Sequence, residues 1–210
     1  MKKLSTKQRI LEAALTLFAE KGFEAVRVAQ IAEAVGIKAP SLYKHFKSKQ
    51  EIFEGILKEM AGRYKNQVTS VQMDGVNPHR DAEYFMEMEE AQLIQIGKSL
   101  FHFFLHDEYA GKYRRMLAVE QYHNPKLAAL YAQQYVEDPL SFQGAMFGIF
   151  TQSGSMLPEN PQIMALHFYA PLFLLLTLCD CQPAREAEAI AMLELHISQF
   201  NRLYRKKEAF

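Results

Sequence analysis

The 210-residue sequence has no Trp, only two Cys and no net charge. Each shortage excludes something. Cys179 and Cys181 cannot build a disulfide framework, and a lone Cys-x-Cys lacks the second pair that a structural zinc site needs, so a reducing cytoplasm is the expected compartment. A balance of 24 Lys and Arg against 24 Asp and Glu excludes a protein that coats nucleic acid by charge alone. The opening MKKLSTKQRI is basic but lacks the apolar core of a signal peptide. The longest apolar run, residues 165 to 179, is shorter than the roughly 20 residues of a membrane span and is interrupted by His167 and Pro171. No membrane partner is expected. At 49% hydrophobic residues the chain is too apolar for disorder and long enough for one or two domains.

The neutral total hides two opposed halves. Residues 1 to 63 carry 12 Lys and Arg against 7 Asp and Glu, a balance of +5, and the remainder carries 12 against 17, a balance of −5. A basic module joined to a larger acidic one suggests that the first meets a polyanion.

Both halves read as helical, with no period-two alternation of strand length in the basic module, so the fold class is all-α. Ser5-x-x-Gln8 is a capping box, followed by Ile10, Ala14, Leu17 and Phe18 at helical spacing and a stop at Gly22. Val28, Ile31, Ala32 and Val35 mark a short second helix ended by Gly36. After Gly36-Ile37-Lys38 a third helix opens with Pro40 in its first turn and buries Leu42 and Phe46. Ser48-x-x-Glu51 is a second capping box, opening a helix that runs to about Lys65. Asn77-Pro78, Asn124-Pro125, Asp138-Pro139 and Asn160-Pro161 each pair a capping side chain with proline and predict helix starts at 78, 125, 139 and 161. Further helices are expected at about 97 to 106, 108 to 122 and 184 to 206, with a linker at 66 to 77.

Helix, glycine turn and second helix is the spacing of a helix-turn-helix, whose later helix enters the DNA major groove. Leu42 and Phe46 point inward, which leaves Ser41, Tyr43, Lys44 and His45 outward or lateral. Lys47 and Lys49 flank the start of the next helix, where ammonium groups and free backbone amides both suit phosphate.

The stretch GFEAVRVAQIAEAVGIKAPSLYKHFKSKQEIF, within residues 9 to 55, resembles the DNA-binding domain of the tetracycline-repressor (TetR) family of bacterial transcriptional regulators. Gly22-Phe23, Ile31-Ala32, Val35-Gly36-Ile37, Leu42-Tyr43 and Phe46-Lys47-x-Lys49 carry the likeness, and EQYHNPKLAALY at 120 to 131 adds to it. The resemblance implies a cytoplasmic homodimer with an N-terminal three-helix helix-turn-helix domain at 1–47, a connecting helix at 48–65 and a larger helical effector-binding and dimerisation domain at 66–210. It implies that Tyr43 and His45 contact phosphate or groove edge, that Lys49 holds phosphate, that Ser41 and Lys44 read bases, and that Ala39 and Pro40 line the approach. Where the family usually has Thr or Ser at the start of the second helix, this chain has Val26-Arg27; the lost cap costs about 1 kcal/mol, and Arg27 offers a longer phosphate contact.

In the larger half, adaptable apolar side chains are candidates for a ligand pocket: Phe85, Met88, Phe101, Phe104, Met116, Met146, Phe147 and Phe150. Gln121, Tyr122 and His167 are candidates to orient a ligand within it. The run at 161 to 179 is apolar nearly all round, which suggests a partner helix across a two-fold axis, with Gly144 and Gly148 permitting close approach and Phe168, Leu172, Leu175 and Leu195 at the interface. Pro171 is expected to kink or end its helix. Two-fold symmetry would set two recognition helices roughly 34 Å apart, or a multiple of it, on a pseudo-palindromic operator.

Competing chemistry has few handles. His102-x-x-x-His106 sets two imidazoles on one helical face, but Phe103 stands where a zinc hydrolase needs Glu, so no metal is expected. Phosphate-loop, dinucleotide and nucleophile-elbow glycine motifs are absent, no cofactor is implied, and Glu87, Glu89 and Glu90 read as a solvated face rather than catalytic carboxylates. The sequence therefore points to a repressor released from its operator by a small apolar or amphipathic ligand, rather than to an enzyme. The alternatives are a helical dimeric carrier or enzyme without operator binding, and a DNA-binding regulator that activates or needs no ligand.

Overall fold

The computed structural model describes residues 4–206; the first three residues of the basic opening lie outside them. The described residues form eleven α-helices, with no strand and a single isolated bridge, Met156 to Arg205. They divide into two compact units, one running through Tyr64 and including Asp107–Ala132, the other made of Lys65–His106 and the chain from Gln133 onward.

The first unit holds α1 (Thr6–Lys21), α2 (Val28–Val35), α3 (Ala39–Leu42), the first part of α4 (Lys49–Ser70), α7 (Glu108–Glu120) and α8 (Pro125–Ala132). The capping box of α1 forms in both directions: Gln8 N–H donates to Ser5 Oγ, and Ser5 N–H donates to Gln8 Oε1. The apolar stripe read from the sequence is buried, with Ile10, Ala14 and Phe18 fully so, but Leu15 rather than Leu17 completes it. Phe18, Phe23 and Phe53 stack edge to face through centroid distances of 5.1 and 5.3 Å, and α1 packs along α7, which brings Tyr113, Met116 and Leu117 into this core. Residues 107 to 132, grouped by sequence with the larger domain, thus fold with the N-terminal unit.

The second unit holds the end of α4, α5 (Pro78–Met86), α6 (Glu90–His106), α9 (Asp138–Gln152), α10 (Pro161–Cys181) and α11 (Glu186–Tyr204). One core gathers Ala82, Met146, Phe147, Phe150, Met164 and Phe200; a second gathers Phe101, Leu175, Leu176, Leu193 and Ile197. Cys179 is buried, Cys181 is exposed, and they are not bonded to each other.

Three of the four Asx-Pro pairs start helices as expected. Asn77, Asn124 and Asn160 each accept from the backbone N–H groups two and three residues on, at 3.0 to 3.4 Å. The fourth also stands at the start of α9, but without a side-chain cap. Asp138-Pro139 lies inside a continuous helical run, because a π turn at Gln133–Glu137 joins α8 directly to α9. Proline within a helix leaves the carbonyl four residues back without its donor. Here that carbonyl, Tyr135 O, accepts from the Tyr169 hydroxyl at 2.8 Å, and the wider π turn accommodates the ring.

The other boundaries move for tertiary reasons. α4 continues to Ser70, beyond the expected end near Lys65, since Val68 is buried and Gln67 Nε2 donates to Ser99 Oγ at 3.1 Å; the linker shrinks to 71–77. α6 starts at Glu90 rather than near 97, and Glu90 is not merely solvated: it accepts from Ser198 Oγ and Asn201 Nδ2 at 2.8 and 3.1 Å. These bonds hold its carboxyl below the usual range. α10 neither ends nor breaks at Pro171, and at 21 residues it is long and apolar enough to meet the criterion for a membrane span, although one side of it packs into both cores.

Candidate nucleic-acid interface

The short recognition element is built on two buried pegs. Leu42 and Phe46 are 0% and 2% exposed, and the backbone stays helical past α3 through Tyr43 N–H to Ala39 O and Phe46 N–H to Leu42 O, both 3.1 Å. Fixing those pegs in the core determines which residues face water: Pro40, Tyr43, Lys44 and His45 are exposed, and Ala39 and Ser41 are half-buried beside them. Lys38 and Lys47 extend the same exposed basic segment at either end. Gly36 makes the turn possible, with φ +74° and ψ 33°, a left-handed conformation that costs other residues energy. Arg9 closes the end of α2 by donating to Val35 O, a favourable place for a cation at a helix C-terminus.

Arg27 sits at the N-cap of α2, exposed and making no side-chain cap. Half of a capping box survives, since Arg27 N–H donates to Gln30 Oε1 at 2.8 Å. The second sequence-predicted box also forms in altered fashion: Glu51 N–H donates to Ser48 Oγ, but the Glu51 carboxylate accepts from Lys47 N–H instead of Ser48.

Lys49 occupies an unexpected place. Its ammonium turns back onto the α1–α2 loop, donating to Phe23 O at 2.8 Å and Glu24 O at 3.3 Å and lying 4.4 Å from the Phe23 ring centroid. Two of its three N–H donors are thereby engaged within the unit. The loop is clasped from the other side by Glu120 at the end of α7. Its buried carboxylate accepts from Phe23 N–H at 2.6 Å, and a Cβ on Gly22 would stand 2.7 Å from the same oxygen. Sequence reasoning included Glu120 in a family-like stretch but gave it no role, because its partner lies 97 residues away.

The candidate pocket residues do not converge. Phe101, Met146, Phe147 and Phe150 are buried in the two cores of the second unit, with Phe85 and Phe104 packed against them. Met116 is buried in the first unit, where Gln121 donates to its own helix at Ala118 O and Tyr122 is 81% exposed. His167 is exposed and paired with the Tyr204 hydroxyl at 2.6 Å. Only Met88 lines the groove of about 510 Å³ found in the second unit, together with Ser70, Tyr84, Gln92, Gln95 and Ile96. Ser70, Gln92 and Gln95 carry no distinguishing signal in the sequence, because polar side chains on helices are mostly solvated.

The candidate interface residues also separate. Leu175 is buried within the unit, and Phe168 and Leu172 pack on its cores, whereas Leu195 is 70% exposed. A Cβ on Gly144 would meet the Gln162 side chain at 2.5 Å, so this glycine serves the approach of α9 to α10 within one chain. Gly148 likewise faces Pro161.

Comparison with known proteins agrees with this geometry. Residues 10–56 match the family model of bacterial regulatory proteins, tetR family. The HTH-type transcriptional repressor KstR2 of Rhodococcus jostii is 43% identical over 72 residues, which cover 32% of this chain and 35% of KstR2; the matched segment thus spans about a third of that relative. Among solved structures, a chain from Mesorhizobium loti assigned as a TetR-family transcriptional regulator superposes with a TM-score of 0.69 at 21% identity, covering 96% of this chain and 97% of its own. SmeT, the repressor of the Stenotrophomonas maltophilia multidrug efflux pump SmeDEF, gives 0.65 at 18% identity, covering 98% and 93%. Residues 10–56 are thus similar to the DNA-binding segment of bacterial regulatory proteins of the tetR family, and the all-helical fold of the described residues is one shared with the solved structures of such regulators.

Proposed function

We propose that the protein is a sequence-specific DNA-binding transcriptional repressor that acts as a homodimer and leaves its operator when a small amphipathic ligand binds. The observation that carries this reading is the exposed set Pro40, Tyr43, Lys44 and His45, mounted on Leu42 and Phe46 behind the Gly36 turn. Ser41 and Lys44 read bases, Tyr43, His45 and Arg27 meet phosphate or groove edge, and Ala39 and Pro40 line the approach. Lys47 takes over part of the phosphate anchoring that the resemblance assigns to Lys49. The relatives named repressors support the regulatory sense.

Dimerisation is supported by an apolar face on α10 and α11. Ile163, Leu166, Leu174, Leu195 and Leu203 are all exposed, with Leu174 at 68%. Such a face is costly in water and suits a second copy of the same chain across a two-fold axis. The functional division we propose follows the sequence bounds, with DNA binding in 1–47, a connecting helix at 48–65 and effector binding and dimerisation in 66–210, except that residues 107–132 group with the first compact unit.

The groove at Met88 supports the ligand class. Its mixture of Tyr84, Gln92 and Gln95 with Met88 and Ile96 suits a molecule with polar and apolar ends, and SmeT has been solved as a complex with triclosan. Ser70 and Val71 place the end of α4 in that lining. A ligand there would act through α4 only by the difference in its affinity for the DNA-fitting and DNA-misfitting states.

The test is selection of bound DNA from a random pool, followed by titration at several salt concentrations. A pseudo-palindrome bound with a steep negative log–log salt slope is the expected result; no enriched site and a flat response would exclude the repressor reading and leave a helical carrier.

A further inference from the structure

His102 and His106 on α6 were a pair without a third donor. The tertiary fold supplies one: Glu186, the first residue of α11, brings its carboxylate Oε1 to 2.7 Å from His106 Nε2. One donor atom from each of His102, His106 and Glu186 lies within 4.8 Å of the others. The two imidazoles lie beside each other with centroids 4.2 Å apart, tilted by 36°. All three residues belong to the second unit, and both histidines are exposed, so an ion in solution reaches them directly.

We propose that His102, His106 and Glu186 form a binding site for one divalent transition-metal ion of the Zn²⁺ class. Two imidazole nitrogens and a carboxylate oxygen are the donor set of open zinc sites, in which a fourth position is left to water. Bond lengths near 2.0 to 2.2 Å in a tetrahedron put donors roughly 3.3 Å apart, so the cluster needs only side-chain adjustment. The ion takes the Nε2 lone pair of the neutral His106 ring, whose single N–H then sits on Nδ1, and the Glu186 carboxylate binds the ion in place of an N–H on Nε2. Its dipositive charge lies at the C-terminal turn of α6, where the helix dipole favours a cation. The same ion joins the end of α6 to the start of α11. Hydrolysis is not part of the proposal, since Phe103 follows His102 where such enzymes have Glu.

A competing explanation is a plain His106–Glu186 ion pair beside a second imidazole. It predicts no metal binding and no role for His102. The two are separated by titrating the full chain, freed of metal with EDTA and carrying no affinity tag, with Zn²⁺ in a calorimeter and with Co²⁺ in an absorption spectrometer. The expected result is one ion per chain and a visible Co²⁺ band of tetrahedral character. His102→Gln and Glu186→Gln should each weaken binding at least about tenfold, since even the loss of an outer partner costs 10 to 100-fold. Metal-free circular dichroism should match that of the parent, because His102 is exposed and Glu186 lies at the helix end. Cys181→Ser should bind as the parent does. Absence of stoichiometric Zn²⁺ binding, unchanged affinity in His102→Gln, or loss of binding in Cys181→Ser would each overturn the assignment.

Discussion

Replacing Gly22 by Ala tests the clasp between the α1–α2 loop and α7. Gly22 has φ +82° and ψ 155°, a region occupied almost only by glycine, and forcing another residue into it costs about 1–3 kcal/mol. The new Cβ would also stand 2.7 Å from Glu120 Oε1. A carboxylate at the end of a free side chain would swing aside at little cost. This one is buried and holds Phe23 N–H at 2.6 Å, so moving it breaks a hydrogen bond to a charged group, worth about 1.5–3 kcal/mol. Together the two effects predict a loss of about 3–5 kcal/mol, or a fall in Tm of roughly 6–20 °C for a chain of this size. Gly36→Ala is the control. Gly36 is also left-handed, but a Cβ there meets nothing within 4 Å, so only the backbone cost of about 1–2 kcal/mol applies. The assay is thermal unfolding of both variants and of Glu120→Ala, alone and combined with Gly22→Ala. Removing the carboxylate should cost less in the Gly22→Ala background, by about 1–3 kcal/mol of coupling. Equal losses at the two glycines, together with strict additivity of Gly22→Ala and Glu120→Ala, would refute the clasp.

Lys49→Ala should lower Tm by a few degrees, since it releases Phe23 O and Glu24 O, and change the salt slope of DNA binding little, whereas Lys47→Ala should leave Tm unchanged and reduce that slope by about 1; thermal melts and salt titrations of the two variants check this, and the reverse pattern would return Lys49 to the phosphate. Glu90 has its carboxyl held low in the folded chain by Asn201 and Ser198, so its stabilisation is fully present above the ordinary carboxylate range and lost as pH falls through the lowered value. Glu90→Gln should therefore be less stable than the parent at about pH 6, and the gap should close toward about pH 3; a gap in Tm that is constant with pH would mean that the carboxylate charge is irrelevant there.

The sequence by itself determined what depends on neighbours along the chain. The Ser5 and Gln8 box, the Asn77, Asn124 and Asn160 caps, the glycine turn at Gly36 and the inward pegs Leu42 and Phe46 are local patterns, because a cap reaches two or three residues and a helical face repeats every three or four. They suffice to specify a helix-turn-helix and the side chains it presents. Only the tertiary structure decided what depends on residues distant in sequence. The Tyr169 hydroxyl serves the Tyr135 carbonyl and lets a helix pass Pro139; Phe23 and Glu24 draw Lys49 inward; Leu175 is core while Leu174 beside it is exposed; and Glu186 joins His102 and His106. Composition nominated Phe101, Met146 and Phe147 for a pocket, since an apolar side chain looks the same in a core as in a cavity. Which it lines is determined by the helices that pack around it, and those are set by the whole chain.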